Sequence, residues 1–181
     1  MTRADIQDEQ RVWGAADSLQ FYQMNRQRPE DMYTSERFFL PEILPSAHSV
    51  LDVGCAAGGF SRIMKSFNPT IDYTGVDINP QFVEIARRAF PDSRFKESDG
   101  INFDTPECSY DLVHSTGVLL HNSRYADMAA ACYRQARRYI IYDFRLTWGP
   151  SVVGTNKLQF EPAEGDRPLL PYVVLNVHEM V

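Results

Sequence analysis

The sequence predicts an α/β protein built on a doubly wound, mostly parallel open sheet. Short apolar segments alternate with amphipathic segments from Ser49 onward, and the first apolar segment runs directly into a cluster of glycines. The intervening segments are about ten residues or longer, which suits crossover connections between parallel strands. With 181 residues, of which 44% are hydrophobic, the chain can bury one core. Ligands of such sheets bind at the carboxyl ends of the strands.

Five strands are expected, each short, apolar and bounded by turn residues. They are Ser49–Val53, Tyr73–Asp77, Ser93–Ser98, Tyr110–Ser115 and Tyr139–Phe144. Three helices are expected between them: Phe60–Phe67, Pro80–Ala89 and a helix capped by Ser123 that runs to about Arg138. Asn79 followed by Pro80 is typical of a helix start, because asparagine caps the free N–H groups and proline fits the first turn.

The two ends of the chain carry weaker patterns. The first 28 residues are polar and predict an arm of short helices, and the Pro29–Asp31 segment is typical of a helix start. The tail after Leu146 is rich in glycine and proline. In it Tyr172–Val177 is predicted to form a sixth strand, or else Asn176 begins a helix.

Composition narrows the function. The balance of 18 basic and 24 acidic residues, a net charge of −6, argues against a platform for nucleic acid. No apolar run is long enough for a membrane span, and the N-terminus lacks the apolar core of a secretory signal. The three cysteines are far apart and none has zinc-ligand spacing, so neither a disulfide framework nor a metal site is expected. A cytoplasmic protein fits these features best.

The segment Val50–Phe60, VLDVGCAAGGF, is the most informative part of the chain. Glycines after a strand let the backbone turn tightly and approach a ligand, and the helix beyond offers free N–H groups. A dinucleotide loop is one interpretation. However, Ala56 occupies the position at which a second glycine would admit a pyrophosphate, which weakens that match.

Four segments in order resemble the class I S-adenosylmethionine-dependent methyltransferases, over about residues 35 to 145. They are Leu51–Gly59, Gly75–Asn79, Glu97–Gly100 and Tyr110–His121. The resemblance implies the Rossmann-like fold of that family, with residues 1–34 as an arm or lid and residues 35–181 as the cofactor-binding domain. It also implies S-adenosylmethionine as the cofactor and a methyl acceptor as the second ligand.

The resemblance implies a role for ten residues. Asp52 would lie near the methionine portion of the cofactor, directly or through water, and Asp77 would accept both ribose hydroxyls. Ile78 would pack on adenine, and Asp99 would accept from its amino group. The remaining wall of the cofactor site would consist of Gly54, Cys55, Ala56, Gly58, Gly100 and Thr116.

The acceptor side is less defined. His121 follows the fourth strand and is a candidate general base, since the pKa of histidine suits that task. The other candidates for contact with substrate are Tyr22, Tyr33, Asp143 and Arg145. Arg37 is a candidate partner of the cofactor carboxylate, whereas His114, inside a strand, is expected to be structural.

The predicted reaction is in-line transfer of a methyl group to a small-molecule acceptor. The segment after the fourth strand lacks the Asn/Asp-Pro-Pro-aromatic pattern of enzymes that methylate amino groups of nucleic acids. Three alternatives stay open: an RNA or protein methyltransferase with a rim around Arg26, Arg28 and Tyr33, a nicotinamide-dependent oxidoreductase, and a cofactor-binding subunit without catalysis.

The tail is the main departure from the family, whose sheets usually add two further strands after the fifth. Only 35 residues follow Leu146, so the sheet is shortened at the C-terminus or the chain is a fragment. The fifth strand would then be an exposed edge unless the tail covers it, through Val173, Val174 and Leu175, or a second copy pairs with it in a homodimer.

Overall fold

A computed structural model describes Trp13, residues 16–157 and residues 169–179. Its main sheet has five parallel strands in the order β3-β2-β1-β4-β5. The strands are β1 (Ser49–Val53), β2 (Asp72–Asp77), β3 (Arg94–Glu97), β4 (Tyr110–Ser115) and β5 (Ala136–Tyr142). The strand order reverses between β1 and β4, so the predicted switch point lies beside the glycine segment.

Five α-helices accompany this sheet within the described residues. They are α1 (Ala16–Met24), α2 (Thr34–Ile43), α3 (Gly59–Phe67), α4 (Pro80–Ala89) and α5 (Tyr125–Gln135). Short 3₁₀ turns occupy Pro29–Asp31, Leu44–Ser46 and Leu119–His121. The start of α4 is as predicted: the Asn79 side chain accepts from the backbone N–H of Gln81 at 2.8 Å, and Pro80 fills the first turn.

Both faces of the main sheet are buried, as a doubly wound fold requires. Val50 and Leu112 pack on one face in a core with α3 and α4, whereas Leu51 and Val113 pack on the other with α5. Neighbouring residues of the central strands β1 and β4 therefore belong to different cores. The predicted fold class is confirmed.

The prediction of a third helix capped by Ser123 and reaching Arg138 is wrong at both ends. Asn122 accepts the backbone N–H of Arg124 at 2.7 Å, and α5 ends at Gln135. Arg137 and Arg138 belong to β5, at a register shift between the pairs Tyr110–Ala136 and Leu112–Tyr139, and their guanidinium groups reach Asp111 and a carbonyl of Ser46.

The tail forms a separate small sheet instead of extending the main one. Its strands are β6 (Arg145–Thr147), β7 (Val152–Lys157) and β8 (Leu169–Asn176), and β8 lies between a parallel β6 and an antiparallel β7. The predicted sixth strand is thus a strand, and the alternative of a helix from Asn176 is wrong. Val173 and Leu175 are buried, while Val174 is half-buried.

Within the described residues, no helix has the length and apolar character needed to cross a bilayer. The proposed boundary between residues 34 and 35 stays a prediction, and it falls in the first turn of α2.

Candidate functional site

A cleft opens at the carboxyl ends of β1, β2 and β4, below the segment that joins α1 to α2. Its floor is the loop after β1, and its walls include the ends of β2 and β4 and the start of α4. Nine of the ten predicted cofactor residues line it: Asp52, Gly54, Cys55, Ala56, Asp77, Ile78, Asp99, Gly100 and Thr116. The tenth, Gly58, instead faces Ala86 and Phe95, so it allows α4 and β3 to approach the loop.

The loop after β1 is held in an unusual backbone conformation. Gly54, Ala56 and Gly58 have φ values of 79°, 45° and 81°, in the left-handed region. The backbone N–H groups of Gly54 and Cys55 both donate to the carbonyl of Val76, at 2.8 and 3.0 Å. A Cβ at Gly54 would overlap Val118, which explains the glycine at this position. The loop therefore presents its backbone to the cleft in one fixed shape.

Asp77 ends β2 with a buried carboxylate at the edge of the cleft. Its Oδ2 accepts from the backbone N–H of Ala56 and its Oδ1 from that of Asn79, both at 2.9 Å. Burial raises the pKa of Asp77 to about 6, against the effect of these N–H donors. The backbone N–H of Ile78 is a third donor to this carboxylate. A carboxylate has about four acceptor sites, so Asp77 keeps some acceptor capacity for a ligand.

Asp99 also lies on the cleft wall, and its carboxylate organises the turn that follows β3. Its Oδ1 accepts from the backbone N–H groups of Ile101 and Asn102 at 2.9 and 3.0 Å, and its Oδ2 from the Asn102 amide at 2.8 Å. Partial burial raises the pKa of Asp99, but these donors outweigh it and the pKa is lowered overall. The turn places Gly100 (φ 72°) against Val53 and Met128.

Beneath the loop, Asp52 is buried and already has protein partners. Its Oδ1 lies 2.7 Å from Nδ1 of His114, and its Oδ2 accepts from the hydroxyl of Tyr73. Nε2 of His114 lies 3.2 Å from Oε1 of Glu36, so the imidazole joins two buried carboxylates. Burial lowers the pKa of His114, but the two carboxylates outweigh it and raise the pKa to about 9. His114 is therefore structural, as expected, and positively charged at neutral pH.

Glu36 of α2 connects this buried cluster to the roof of the cleft, which is the segment between α1 and α2 that contains Arg26 and Tyr33. Its Oε1 accepts from the guanidinium of Arg26 and from the hydroxyl of Thr116, and its Oε2 accepts from the backbone N–H of Tyr33 at 2.7 Å. Burial alone would raise the pKa of Glu36, but the effects of His114 and Arg26 are larger together and lower the pKa to about 2. Two cations thus balance Asp52 and Glu36.

Arg26 and Arg37 lie in different surroundings. The sequence makes Arg26 a rim candidate for an RNA or protein acceptor and Arg37 a candidate partner of the cofactor carboxylate. Arg37 is exposed and does not line the cleft, whereas Arg26 does. The guanidinium of Arg26 lies over the rings of Tyr33 and Phe60, 4.2 and 4.5 Å from their centroids.

One nitrogen of Arg26 is left for a ligand. Its Nη2 binds Glu36 and Thr116, but its Nη1 is buried without a hydrogen-bond partner in the described structure. A buried unsatisfied guanidinium nitrogen is costly, and a carboxylate is its best acceptor. No spacing rule links Arg26 to the residues around it, so only the folded chain reveals this group.

Some of the residues predicted to contact the methyl acceptor line the cleft, and others lie outside it. His121, Tyr22 and Tyr33 line the cleft, but Asp143 and Arg145 do not. Asp143 accepts from the backbone N–H of Gly117 at 2.7 Å, and the guanidinium of Arg145 lies 4.9 Å from the ring centroid of Tyr172.

Two further aromatic rings, those of Trp13 and Phe82, line the cleft beside the predicted Tyr22. Tyr22 contacts Phe82 of α4 edge to face at 5.6 Å between centroids, and Trp13 does so with His121 at 5.8 Å. Burial raises the pKa of Tyr22 to about 12, so its hydroxyl stays neutral. These rings make part of the cleft wall apolar.

The roof also contacts the start of α3. A Cβ at Gly59 would overlap the backbone carbonyl of Arg26 and the Gln27 side chain. We expect Gly59→Ala to destabilise the chain by about 1–3 kcal/mol through overpacking, measured by urea unfolding. Gly154→Ala is the control, because no atom lies within 4 Å of its added Cβ. Equal, small effects of the two substitutions would contradict this close contact.

A parallel sheet whose carboxyl edge holds a glycine loop and a buried acid defines a nucleoside-cofactor-binding α/β protein. The chain belongs to the methyltransferase domain family, whose sequence model matches residues 50–140. A 76-residue segment is 36% identical to the trans-aconitate 2-methyltransferase of Enterobacter sp. (strain 638) and 33% identical to that of Escherichia coli O1:K1. The segment is 42% of this chain and only 30% of each relative.

Solved structures agree on the fold. A SAM-dependent methyltransferase from Methanosarcina mazei matches with a TM-score of 0.60 at 15% identity, over 82% of this chain and 81% of that one. Another from Archaeoglobus fulgidus matches with a TM-score of 0.50 at 23% identity, over 67% and 51% of the two chains. The predicted membership of the class I family is confirmed.

Proposed function

We propose that this chain binds S-adenosylmethionine in the cleft and directs its methyl group to a small-molecule acceptor. The observation that carries the proposal is the shared cleft of the glycine loop and Asp77, joined by the bond from the Ala56 N–H to Asp77. When bound, the cofactor would supply an electrophilic methyl group on a sulfonium. The leaving group is then a neutral thioether, so its departure needs neither a metal nor a strong acid. Among the described residues, no cluster is placed to hold a metal ion.

The residues of the cleft fit the nucleoside half of this cofactor. Asp77 would accept the two ribose hydroxyls with its remaining lone pairs. Ile78 and Phe82 would contact the adenine ring, and Asp99 with the Gly100 backbone would face its polar edge. The Asp99 oxygens already accept three hydrogen bonds, and the Asp77 carboxylate likewise has three backbone donors, so each would bind the cofactor through its remaining acceptor capacity.

The methionine half requires an anion site and an acceptor for an ammonium group. Arg26 would hold the carboxylate through Nη1, the nitrogen that lacks a partner. Thr116, Gly54, Cys55 and Ala56 would line the same end. Asp52 would support this end from below the loop, because each of its oxygens already has one buried protein partner, His114 or Tyr73.

Catalysis would come from alignment and exclusion of water more than from acid–base chemistry. Trp13, Tyr22 and Tyr33 would cover the reacting groups, and His121 would accept a proton when the acceptor arrives protonated. Burial lowers the pKa of His121, so its imidazole is neutral at pH 7 and able to serve as a base.

The proposal also includes a small-molecule acceptor, a cytoplasmic location and the formation of a homodimer. The curated relatives are named for trans-aconitate, but the matched segment is 30% of their length. An RNA or protein acceptor is the alternative. It is less favoured because Arg26, one of its three rim candidates, is paired with the buried Glu36, and because the net charge of the chain is −6.

Calorimetric titration with S-adenosylmethionine and S-adenosylhomocysteine tests the proposal, with NAD as a negative control. We expect both adenosyl compounds to bind, and Arg26→Lys to weaken binding about 10–100-fold by removing the planar guanidinium. Arg28→Lys, in the same segment, should leave binding unchanged. Binding of NAD alone would assign the chain to the oxidoreductases. No binding by the folded chain would refute the proposal.

A further inference from the structure

Three segments that are distant in sequence meet at His121. The residue ends the 3₁₀ turn Leu119–His121 after β4, and the ring of Trp13 contacts its imidazole at 5.8 Å between centroids. On another side, Nδ1 of His121 lies 3.2 Å from the backbone carbonyl oxygen of Pro171 in β8. The small sheet of the tail therefore reaches the acceptor side of the cleft.

The position of Pro171 in β8 leaves its carbonyl able to accept a hydrogen bond from His121. Pro171 pairs with Thr155 of the antiparallel strand β7, whereas β6 pairs only with residues 174–176. Proline has no N–H to donate, so it fits a position whose backbone groups point away from the neighbouring strand. Its carbonyl is accordingly turned toward His121 and not into the ladder.

A carbonyl oxygen can only accept a hydrogen bond, so Nδ1 of His121 must be the donor. In a neutral imidazole, a proton on Nδ1 leaves Nε2 with a lone pair. In the described part of the chain, Nε2 of His121 has no hydrogen-bond partner among the contacts of this ring.

We propose that β8, through the Pro171 carbonyl, holds His121 in the Nδ1-protonated tautomer, so that Nε2 is the base for an acceptor that loses a proton. This inference rests on the proposed methyl transfer. The acceptor would carry an O–H or N–H group on a planar body, since the ring of Trp13 contacts His121 and the ring of Tyr22 contacts that of Trp13. A carboxylate acceptor, already deprotonated at neutral pH, would need no such base.

The step balances without a further reactant. The acceptor proton passes to Nε2, the acceptor oxygen or nitrogen forms a bond to the methyl carbon, and the carbon–sulfur bond breaks with its electron pair on sulfur. The imidazolium then returns its proton to water. Pro171 is a positioning residue in this scheme, because it acts only through His121.

The charges around His121 are compatible with a neutral base. Burial has the largest effect and lowers the pKa of His121, the Pro171 carbonyl raises it, Arg145 lowers it and Asp143 raises it. Asp143 is bound to the Gly117 N–H, and Arg145 lies over Tyr172. The facing charges of these two residues oppose each other, which leaves burial to dominate.

Nitrogen-15 NMR of the histidine-labelled chain tests the tautomer, because long-range proton–nitrogen correlations distinguish protonated from unprotonated ring nitrogens. The chain has four histidines, and the signal that is lost in His121→Gln identifies residue 121. We expect Nδ1–H with an unprotonated Nε2 at pH 7, and titration below the ordinary value of about 6.5. A proton on Nε2, or a mixture of tautomers, would overturn the inference.

Two variants test the two parts of this inference: that the backbone carbonyl, and not the proline ring, sets the tautomer, and that Nε2 of His121 is the base. Pro171→Ala keeps the carbonyl and should keep the tautomer. His121→Asn retains a donor near the Nδ1 position without a base, so it should bind S-adenosylmethionine as the parent chain does while losing at least about 100-fold in turnover of a phenol-type acceptor. Unchanged turnover would overturn the inference, whereas absence of cofactor binding by the parent chain would refute the proposed function itself.

Discussion

We expect Asp77→Ala to weaken binding of S-adenosylmethionine at least about 100-fold, because hydrogen bonds to a charged group contribute about 1.5–3 kcal/mol each. The substitution removes the acceptor of the ribose hydroxyls. It also frees the Ala56 N–H that Asp77 holds at 2.9 Å, so the glycine loop loses its anchor. Calorimetric titration of both proteins measures the change.

Asp72→Ala is the matched control, since Asp72 is the first residue of the same strand. Its exposed carboxylate pairs with Arg94 at 2.6 Å, and such surface pairs contribute about 0–1 kcal/mol to stability. We expect no change of affinity for this variant. Equal affinity of Asp77→Ala and the parent chain would mean that the ribose is held elsewhere.

The pH dependence of binding provides a second test of Asp77. Burial raises its pKa to about 6, and the hydroxyl donors of a ribose require the ionised form. Affinity should therefore be constant above this pH and fall about tenfold per unit below it, as protons compete with the cofactor. A profile that is flat from pH 7 to pH 5 would contradict this role.

Glu36→Ala is the substitution with the largest expected cost in stability, about 3–5 kcal/mol. It leaves the cations Arg26 and His114 without a shared acceptor in a buried site, and it frees the Tyr33 N–H at the start of α2. Against a typical stability of about 5–15 kcal/mol, this loss is severe. Urea unfolding measures it, and Glu36→Gln tests whether charge or shape is responsible.

Glu84→Ala provides the control for this experiment. Glu84 pairs with Arg88 on the exposed face of α4 at 2.7 Å, and we expect a change below about 0.5 kcal/mol. A cost of less than about 1 kcal/mol for Glu36→Ala would show that water replaces the buried network without penalty.

The same network predicts that the free energy of unfolding is greatest between about pH 4.5 and pH 6.5. The pKa of Glu36 is lowered from 4.5 to about 2, so its contribution is present above pH 4.5 and is lost as the pH falls toward 2. The pKa of His114 is raised from 6.5 to about 9, so its contribution is present below pH 6.5 and is lost as the pH rises toward 9.

Local sequence determined the strands of the main sheet and the loop that forms the floor of the cleft. Adjacent apolar residues such as Leu112 and Val113 mark a strand that is buried on both faces, and Asn79 with Pro80 sets the start of α4 whatever surrounds it. Glycine at residue 54 is favoured by its backbone φ of 79°. Such features depend on nearest neighbours along the chain or on the period of the sheet.

Tertiary structure alone decided how the charged residues pair and which end of the chain completes the cleft. Arg26, Glu36 and His114 are separated by 10 and 78 residues, and Arg26 and Arg37 have the same chemistry in the sequence. Only packing of the arm over α3 buries most of one arginine and exposes the other, and this burial leaves Nη1 of Arg26 without a partner among the described residues. The position of β8 beside His121 was equally hidden, because strand pairing between distant segments leaves no local signal.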